Sequence, residues 1–205
     1  MSEEKPCRCP WLDTSKPDYV AYHDNEWGVP VLDDNKLFEY LVLESAQAGL
    51  SWYTILKRRD GYRKAFANFE VDKVAKLTFE DEARLVLDAT IIRHKGKIAA
   101  TVNNAKCFIA IQQEFGSFSR YLWSFVDNKV QVNRIKETEL SPATSAISDA
   151  LSKDLKLRGF KFVGSTIIYA YLQAAGLVND HSSNCFRKQE VIDSYKKLGL
   201  AWQQC

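Results

Sequence analysis

The feature that most constrains the fold of this chain is a series of segments in which a capping residue precedes apolar side chains at three- and four-residue spacing. This spacing predicts α-helices, because such residues share one helix face. Side chains of the Ser, Thr and Asp type favour helix starts. The four segments are KLFEYLVLESAQAG after Asp33-Asp34, FEDEARLVLDA after Thr78, KIAATVNNAKCFIAIQQEF after Gly96 and AISDALSKDLKLR from Ser145. Only KVQVN, residues 129–133, is typical of a strand, so we predict an all-α fold.

Length and charge limit the organisation and the partners. A chain of 205 residues is predicted to form one domain, 1–205, which two helical lobes around a cleft could build. With 28 basic and 26 acidic residues, any affinity for nucleic acid must come from a local cluster. The basic turn IIRHKGKI, residues 91–98, could be one, or an ordinary solvated turn. No membrane-spanning run and no secretory segment are recognisable, so we expect a soluble, cytoplasmic protein.

A glycine-flanked turn, LRGFKFVGST at residues 157–166, breaks the pattern of ordinary amphipathic helices. Gly159 and Gly164 flank a hydrophobic connection between a basic helix end, residues 153–158, and a helix predicted over Thr166–Leu177. This is the pattern of a helix-hairpin-helix, whose second helix can bind a phosphate at its positive end. The alternative is a glycine-containing connection between two core helices. The predicted phosphate donors are the free backbone amides with Lys161, Ser165 and Thr166.

An acidic residue, Glu44, continues a helix that is apolar around nearly its whole circumference and is therefore predicted to be buried. Glu39 lies about 140° around the same helix, so the two acids cannot share a face. After a Gly49-Leu50-Ser51 break stands Trp52, and an indole beside a buried acid suits a flat, hydrogen-bonding, cationic ring. The alternatives are an arginine partner for Glu44 and core packing for Trp52.

The five cysteines and three histidines include a candidate metal site. An odd number of cysteines argues against a disulfide framework. His181 and Cys185 have a spacing that puts both on one face of a turn, and Cys9 with His23 would complete a closed Cys₂His₂ set, the composition of structural zinc. Cys7 is a rival to Cys9. The alternative is a group of buried thiols and hydrogen-bonded imidazoles without metal.

The chain contains six distinctive segments: YHDNEWGVP, LFEYLVLESAQAGLSW, IIRHKGKI, WSFV, SDALSKDLKLRGFKFVGSTI and GLVNDH. Together they resemble the 3-methyladenine DNA glycosylase I family of bacterial repair enzymes. The resemblance runs from about Cys9 to Cys185 and leaves residues 186–205 as a tail. It implies a helix-hairpin-helix glycosylase fold and one structural Zn²⁺ that joins the N- and C-terminal segments. It also implies excision of 3-methyladenine from double-stranded alkylated DNA, and we expect a monomer.

The resemblance also implies roles for individual residues. The family's pocket acid corresponds to Glu44, its stacking indole to Trp52, and the aromatic before the motif histidine to Tyr22. Of the same motif, Tyr22, Glu26 or Trp27 would line or support the base pocket. By analogy with apolar wedges in other DNA-binding proteins, and not from the resemblance, Gly49-Leu50 is predicted to fill the gap left by a flipped base. Gly159 and Gly164 would hold the DNA backbone. The family's zinc ligands correspond to Cys9, His23, His181 and Cys185.

The substrate determines the expected mechanism. An N3-methylated adenine in DNA is already cationic, so its glycosidic bond needs little help from an acid, and the enzyme must chiefly select and expose the base. Asn179 stands where many relatives of the superfamily carry a catalytic aspartate, with Asp180 beside it, so no strong general base is expected. The hairpin has no lysine in the position of an amine nucleophile, so we expect no lyase activity.

Two other functions compete with this interpretation. A zinc-stabilised DNA-binding module without catalysis would not need Glu44 with Trp52. A glycosylase of the same superfamily for oxidised or mismatched bases would need the lysine and aspartate pair that is missing here.

Overall fold

The computed structural model describes residues 6–205. Within them the chain is mostly helical, with eleven α-helices, a 3-10 turn at Ala67–Phe69 and three short strands. The helices are α1 Pro17–Asn25, α2 Asp34–Gln47, α3 Trp52–Leu56, α4 Arg59–Ala65, α5 Val71–Val74, α6 Phe79–Leu85, α7 Lys95–Phe115, α8 Phe118–Ser124, α9 Ala146–Leu157, α10 Ser165–Ala174 and α11 Phe186–Lys197. The strands are β1 Lys129–Val132, β2 Val178–Asn179 and β3 Ala201–Gln204. The prediction of a mostly helical chain is confirmed, but the prediction of an all-α fold is corrected, because the chain also forms a small three-stranded sheet.

Local capping explains where the predicted helices begin. The Asp33 carboxylate accepts the amide of Lys36 at 2.8 Å before α2. Reciprocal capping boxes, formed by Thr78 with Asp81 and by Ser145 with Ser148, precede α6 and α9. The end of α10 differs from the prediction. Gly176, at φ +74°, lets the Leu177 amide turn back to the Leu172 carbonyl at 3.0 Å, which stops the helix short of residue 177.

The chain divides into two compact units. Unit 1 comprises the described residues up to Pro30 with Trp123–Ala143 and Leu172–Cys205, and unit 2 comprises Val31–Leu122 and Thr144–Tyr171. That both units belong to one domain, residues 1–205, stays a prediction. Among residues 6–205, no helix combines the length and the apolar character that crossing a bilayer requires.

In unit 2 the core is built around α2, which packs against α7. Residues 37–46 of α2 are all buried, as the apolar circumference of this helix predicts. The ring of Phe108 on α7 lies 5.3 Å from that of Phe38 and stacks on Phe118 at 3.9 Å. Glu44 is therefore held on a helix that has little freedom to move.

Unit 1 contains a parallel sheet in the order β2-β1-β3. The predicted strand corresponds to β1, whereas β2 and β3 were not predicted. The segment from residue 186 onward is not a simple tail, since it forms α11 and then β3. Residues Gln131 and Val132 of β1 pair with Val178 and Asn179 of β2, so the sheet fixes the backbone immediately before His181.

Candidate functional site

A cluster of four buried side chains brings together Cys9, His23, His181 and Cys185 in unit 1. Their candidate ligand atoms all lie within 4.8 Å of one another. The Cys185 Sγ is 3.5 Å from the His181 Nδ1 and 3.6 Å from the His23 Nε2, and the Cys9 Sγ is 3.5 Å from the same His181 nitrogen. The cluster could hold a metal ion.

The outer nitrogens of both imidazoles are already occupied. The His23 Nδ1 lies 2.7 Å from the Asp24 carboxylate, which is in turn held by the Arg8 guanidinium. The His181 Nε2 lies 3.1 Å from the Trp27 carbonyl. Each ring thus donates its outer N–H and turns its other nitrogen toward the two sulfurs, the arrangement that orients metal-binding histidines.

Aromatic rings enclose the cluster. The Trp27 ring lies 4.7 Å from that of His181, and the Trp11 ring lies 5.3 Å from that of His23. Gly28, at φ +80°, passes so close that an added Cβ would meet the His181 Nε2 at 3.0 Å. Trp27 thus supports the cluster. Cys7 is exposed and lies outside the cluster, although its carbonyl accepts the Phe186 amide at 3.0 Å.

The ionisation of the two thiols is unequal. The hydrogen bond from the Cys9 thiol lowers the pKa of Cys185, and both imidazoles lower it further. The same contact with Cys185, together with burial, raises the pKa of Cys9. Burial lowers the pKa of His181, which favours the neutral ring. Two sulfurs and two imidazole nitrogens are the donors that a tetrahedral metal such as zinc prefers.

Other predicted residues of unit 1 are engaged in the framework. The Asn179 amide donates to the Tyr195 hydroxyl at 2.9 Å and its oxygen accepts the His181 amide at 3.2 Å. Asp180 accepts hydrogen bonds from Asn133 and Gln173 at 2.6 and 2.7 Å. These contacts hold the loop that carries His181. Tyr22 is buried on α1.

Two acids on α2 of unit 2 differ sharply in their surroundings. Glu39 accepts from Arg59 at 2.6 Å and from Arg63 at 2.8 Å. Burial alone would raise the pKa of Glu39, but these cations lower it. Glu44, only 4% exposed, has no hydrogen-bond or ion-pair partner among residues 6–205. Burial therefore raises its pKa to about 8, so the carboxyl is mostly protonated near neutral pH.

The segment after α2 presents Leu50 and Trp52. Gly49 adopts φ +78°, Leu50 is 39% exposed, and Ser51 caps α3, whose first residue is Trp52. The carbonyl groups at the end of α2 are capped by a residue that is distant in the sequence. The Lys97 Nζ donates to the carbonyls of Ala46 and Ala48 at 2.8 and 2.7 Å. This lysine fixes the backbone between Glu44 and Trp52.

The glycine-flanked turn, residues 159–164, connects α9 to α10 in unit 2. Asn104 clamps it by accepting the Lys161 amide at 2.8 Å and donating to the Lys161 carbonyl at 2.9 Å. Gly159 adopts φ +91°. At the start of α10, the Ser165 hydroxyl donates to Asp149 at 2.5 Å, whereas the side chain of Thr166 is exposed. Backbone amides, Thr166 and Lys161 are therefore better placed to meet a ligand than the Ser165 hydroxyl.

Several supporting residues and two ion pairs were not predicted from the sequence. The contact between Asp24 and His23 could have been predicted, because Asp24 is the next residue after a candidate metal ligand in the sequence. Arg158, counted in the basic helix end, is bound to Asp154 and Glu114 at 2.6 Å each. Lys97 gave no local signal, because it lies about fifty residues from the carbonyls it binds.

Known proteins resemble this chain over most of its length. The sequence model of the family described as methyladenine glycosylase matches residues 11–188. DNA-3-methyladenine glycosylase 1 of Escherichia coli is 52% identical over 178 residues, which are 87% of this chain and 95% of that protein. A crystal structure of 3-methyladenine DNA glycosylase I superposes with a TM-score of 0.85 at 49% identity, covering 88% of this chain and 98% of the other. A structure of 3-methyladenine DNA glycosylase I from Staphylococcus aureus, which concerns recognition of 3-methyladenine, superposes with a TM-score of 0.83 at 42% identity. It covers 85% of this chain and 93% of the other.

Proposed function

The chain belongs to the methyladenine glycosylase family, and from this membership we propose that it hydrolyses the N-glycosidic bond of 3-methyladenine in double-stranded alkylated DNA. The products are the free base and an abasic site, the first step of base excision repair. We further propose that residues 1–205 act as one monomeric glycosylase domain without lyase activity.

The observation that carries this proposal is the buried, unpartnered carboxyl of Glu44. A carboxyl group in such an environment costs folding free energy unless a ligand compensates it. A methylated adenine with positive charge can do so, because an adjacent cation favours the carboxylate and returns the raised pKa toward its ordinary value. Undamaged adenine carries no such charge, so selectivity follows from the same group.

We assign the remaining recognition roles by residue. Trp52 stacks on the extruded ring, and Leu50, exposed on the loop before it, fills the gap in the duplex. Tyr22 contributes its hydroxyl to the edge of the ring. Trp27 supports the base pocket through its packing on the metal cluster.

The chemical step needs little protein acid or base. The cationic base is already a good leaving group, so water attacks C1′ as the bond to the ring nitrogen breaks. The electron pair of that bond neutralises the departing base, and the attacking water releases its proton to solvent. Asn179 and Asp180 have hydrogen-bond partners in unit 1 and are given no proton-transfer role. The rate gain then comes from extrusion, orientation and the contact between Glu44 and the positive ring.

We propose that the connection between α9 and α10 acts as a helix-hairpin-helix that binds the DNA backbone. Within residues 6–205 the amides of Val163 and Gly164 have no acceptor, and the first amides of α10 are free by the geometry of a helix start. With Lys161 and Thr166 they form a donor set for one phosphate. Gly159 provides the left-handed turn. Such a contact positions the duplex without reading its sequence.

The metal that best fits the cluster is one zinc ion, bound by Cys9, His23, His181 and Cys185. Four protein ligands complete a tetrahedron and leave no position for a water, so the ion would supply cross-linking and no catalytic step. It would join the N-terminal segment at Cys9 to the start of α11 at Cys185.

One experiment separates this function from its main competitor, a DNA-binding module without catalysis. DNA treated with a methylating agent is incubated with the purified protein, and the released bases are separated by chromatography. We expect free 3-methyladenine and no strand cleavage. Tight DNA binding without base release would contradict the proposal. Release of oxidised or mismatched bases instead would favour another glycosylase class.

A further inference from the structure

Three basic side chains line one surface depression of unit 2. Lys57 follows α3, Arg58 precedes α4, and Lys64 lies in the last turn of α4; Gly61, Ala89 and Thr90 complete the lining. Lys57 and Lys64 are exposed and Arg58 is half-buried. The helical spacing brings Arg58, Gly61 and Lys64 to one side of α4.

The charges of this group are not paired with acids, although the Lys57 Nζ lies 5.0 Å from the centroid of the Tyr53 ring, whereas the neighbouring arginines are paired. Arg59 and Arg63, four residues apart, bind Glu39. In the described part of the chain, neither Lys57, Arg58 nor Lys64 forms an ion pair with an acid. The nearby carboxylate of Asp88 accepts both the amide and the hydroxyl of Thr90.

Arg58 also points to a ligand. Its Nε is buried and has no acceptor among residues 6–205, while one terminal nitrogen reaches only the Thr54 carbonyl at 3.4 Å. A buried guanidinium donor without an acceptor costs free energy that an entering anion would recover. Gly61, which lines the same depression, cannot be replaced by a larger residue without a shift of the backbone, because a Cβ there would lie 2.5 Å from the Thr90 carbonyl oxygen.

We propose that Lys57, Arg58 and Lys64 form a second anion site, which holds a phosphodiester group of the DNA strand that carries the lesion. The inference rests on the proposed function for the identity of the ligand. Lys57 is five residues beyond Trp52, about 8 Å along the helix axis and about 140° around it, so the two side chains do not share a face. A base stacked on Trp52 would therefore bring to the cluster phosphates of neighbouring nucleotides on its own strand. Phosphodiesters are the anionic groups of DNA, and Arg with Lys is the usual donor set for them.

The test compares two double variants that remove the same charge. Lys57→Ala/Lys64→Ala alters the cluster, and Lys73→Ala/Lys76→Ala removes two exposed lysines elsewhere in unit 2, one of them paired with Glu70 at 2.8 Å. Binding to a duplex containing a stable abasic analogue is measured over a series of salt concentrations. We expect the cluster variant to bind roughly tenfold more weakly, with a slope of log K against log salt smaller by about 1 to 2. The control should bind nearly as the wild type does.

The outcomes distinguish this inference from the proposed function. Equal salt slopes for the two double variants, or a wild-type slope in the cluster variant, would overturn the anion site, even if the wild type releases 3-methyladenine. If the wild type released no base, the proposed function would fail, while the binding assay would still report on the cluster. Circular dichroism of both variants establishes that the substitutions leave the fold intact.

Discussion

The Cys₂His₂ cluster of unit 1 and the region around Glu44 in unit 2 are both buried and polar, yet they differ in how their polar atoms are satisfied. In the cluster, each imidazole donates its outer N–H and turns its other nitrogen to a sulfur. Around Glu44, within residues 6–205, the carboxyl has no partner. A closed, fully paired cluster is typical of structural sites, whereas an unpaired buried acid is typical of a site that receives a ligand.

The largest expected effect is loss of the metal. The purified protein should contain one zinc, and chelation or Cys185→Ser should lower the free energy of unfolding by several kcal/mol, since zinc binding in small modules is worth about 10 kcal/mol. Hydrogen exchange should increase around Cys9, because the cross-link is lost. The protein that remains folded should still excise the base, since the metal touches no reacting atom.

The control for the metal prediction is Cys7→Ser, which replaces an exposed thiol outside the cluster. It should keep one zinc per chain and the wild-type melting temperature. Elemental analysis and melting curves decide the matter. Protein without zinc would contradict the metal assignment. A Cys185→Ser variant that is fully stable yet inactive would show that the cluster belongs to the chemistry and would remove the contrast between the two regions.

The second prediction concerns pH and the two acids of α2. The pKa of Glu44 is about 8 in the folded protein and 4.5 ordinarily, so the folded state holds a proton that the unfolded state releases between these values. The contribution of Glu44 to stability is therefore constant below about pH 4.5 and becomes less favourable as pH rises toward 8, by roughly 3 kcal/mol at pH 7. Glu44→Gln should remove this loss and stabilise the protein near neutral pH.

Glu39→Gln is the matched control on the same helix. It leaves Arg59, which is 8% exposed, without its charged partner, so it should destabilise the protein by roughly 3 kcal/mol. Urea unfolding at pH 5 and at pH 7.5 measures both variants. If Glu44→Gln were less stable than the wild type at pH 7.5, Glu44 would have a compensating partner. The contrast between the region around Glu44 and the Cys₂His₂ cluster would then be wrong.

This pair of acids also shows how far the sequence can predict the site. The helical period places Glu39 and Glu44 on different faces, and the apolar circumference of α2 predicts its burial. Which acid pairs with arginine depends on Arg59 and Arg63, whose positions follow from the packing of α4 on α2 and not from any local pattern. Likewise, capping side chains predict helix starts because the capping interaction spans only three residues.

The sheet of unit 1 was less predictable for a physical reason. The strand β2 has two residues, and β3 reads AWQQ, without alternating apolar side chains. Both become strands by pairing with β1, 47 and 72 residues away along the chain, in the registers Gln131 with Val178 and Lys129 with Ala201. Such pairing is determined by the assembled backbone, so a short or polar strand leaves little trace in its own sequence.

The third prediction tests recognition directly. Glu44→Gln and Trp52→Ala should each reduce release of 3-methyladenine by roughly ten- to a hundredfold, since a charge-assisted contact is worth about 1.5–3 kcal/mol. Binding to undamaged duplex should change little, because neither residue is assigned to the phosphate contacts. Single-turnover release and duplex affinity are measured side by side. Full activity in Glu44→Gln would remove its proposed role and leave its raised pKa without a functional explanation.

The smallest expected effect separates folding from DNA contact at the turn between α9 and α10. Gly159 has φ +91°, so Gly159→Ala should cost about 1 kcal/mol of stability through backbone strain. A Cβ at Gly164 would meet no atom within 4 Å and the backbone there is not left-handed, so Gly164→Ala should leave stability unchanged or slightly higher.

If a phosphate approaches the free amides of this helix start, however, the added methyl group should weaken binding to every duplex several-fold, with no change in which base is released. Unfolding curves and duplex titrations on both variants test this division. Unchanged affinity in Gly164→Ala would argue against the phosphate contact, and altered base selectivity would place the turn with Glu44 and not with the backbone contacts.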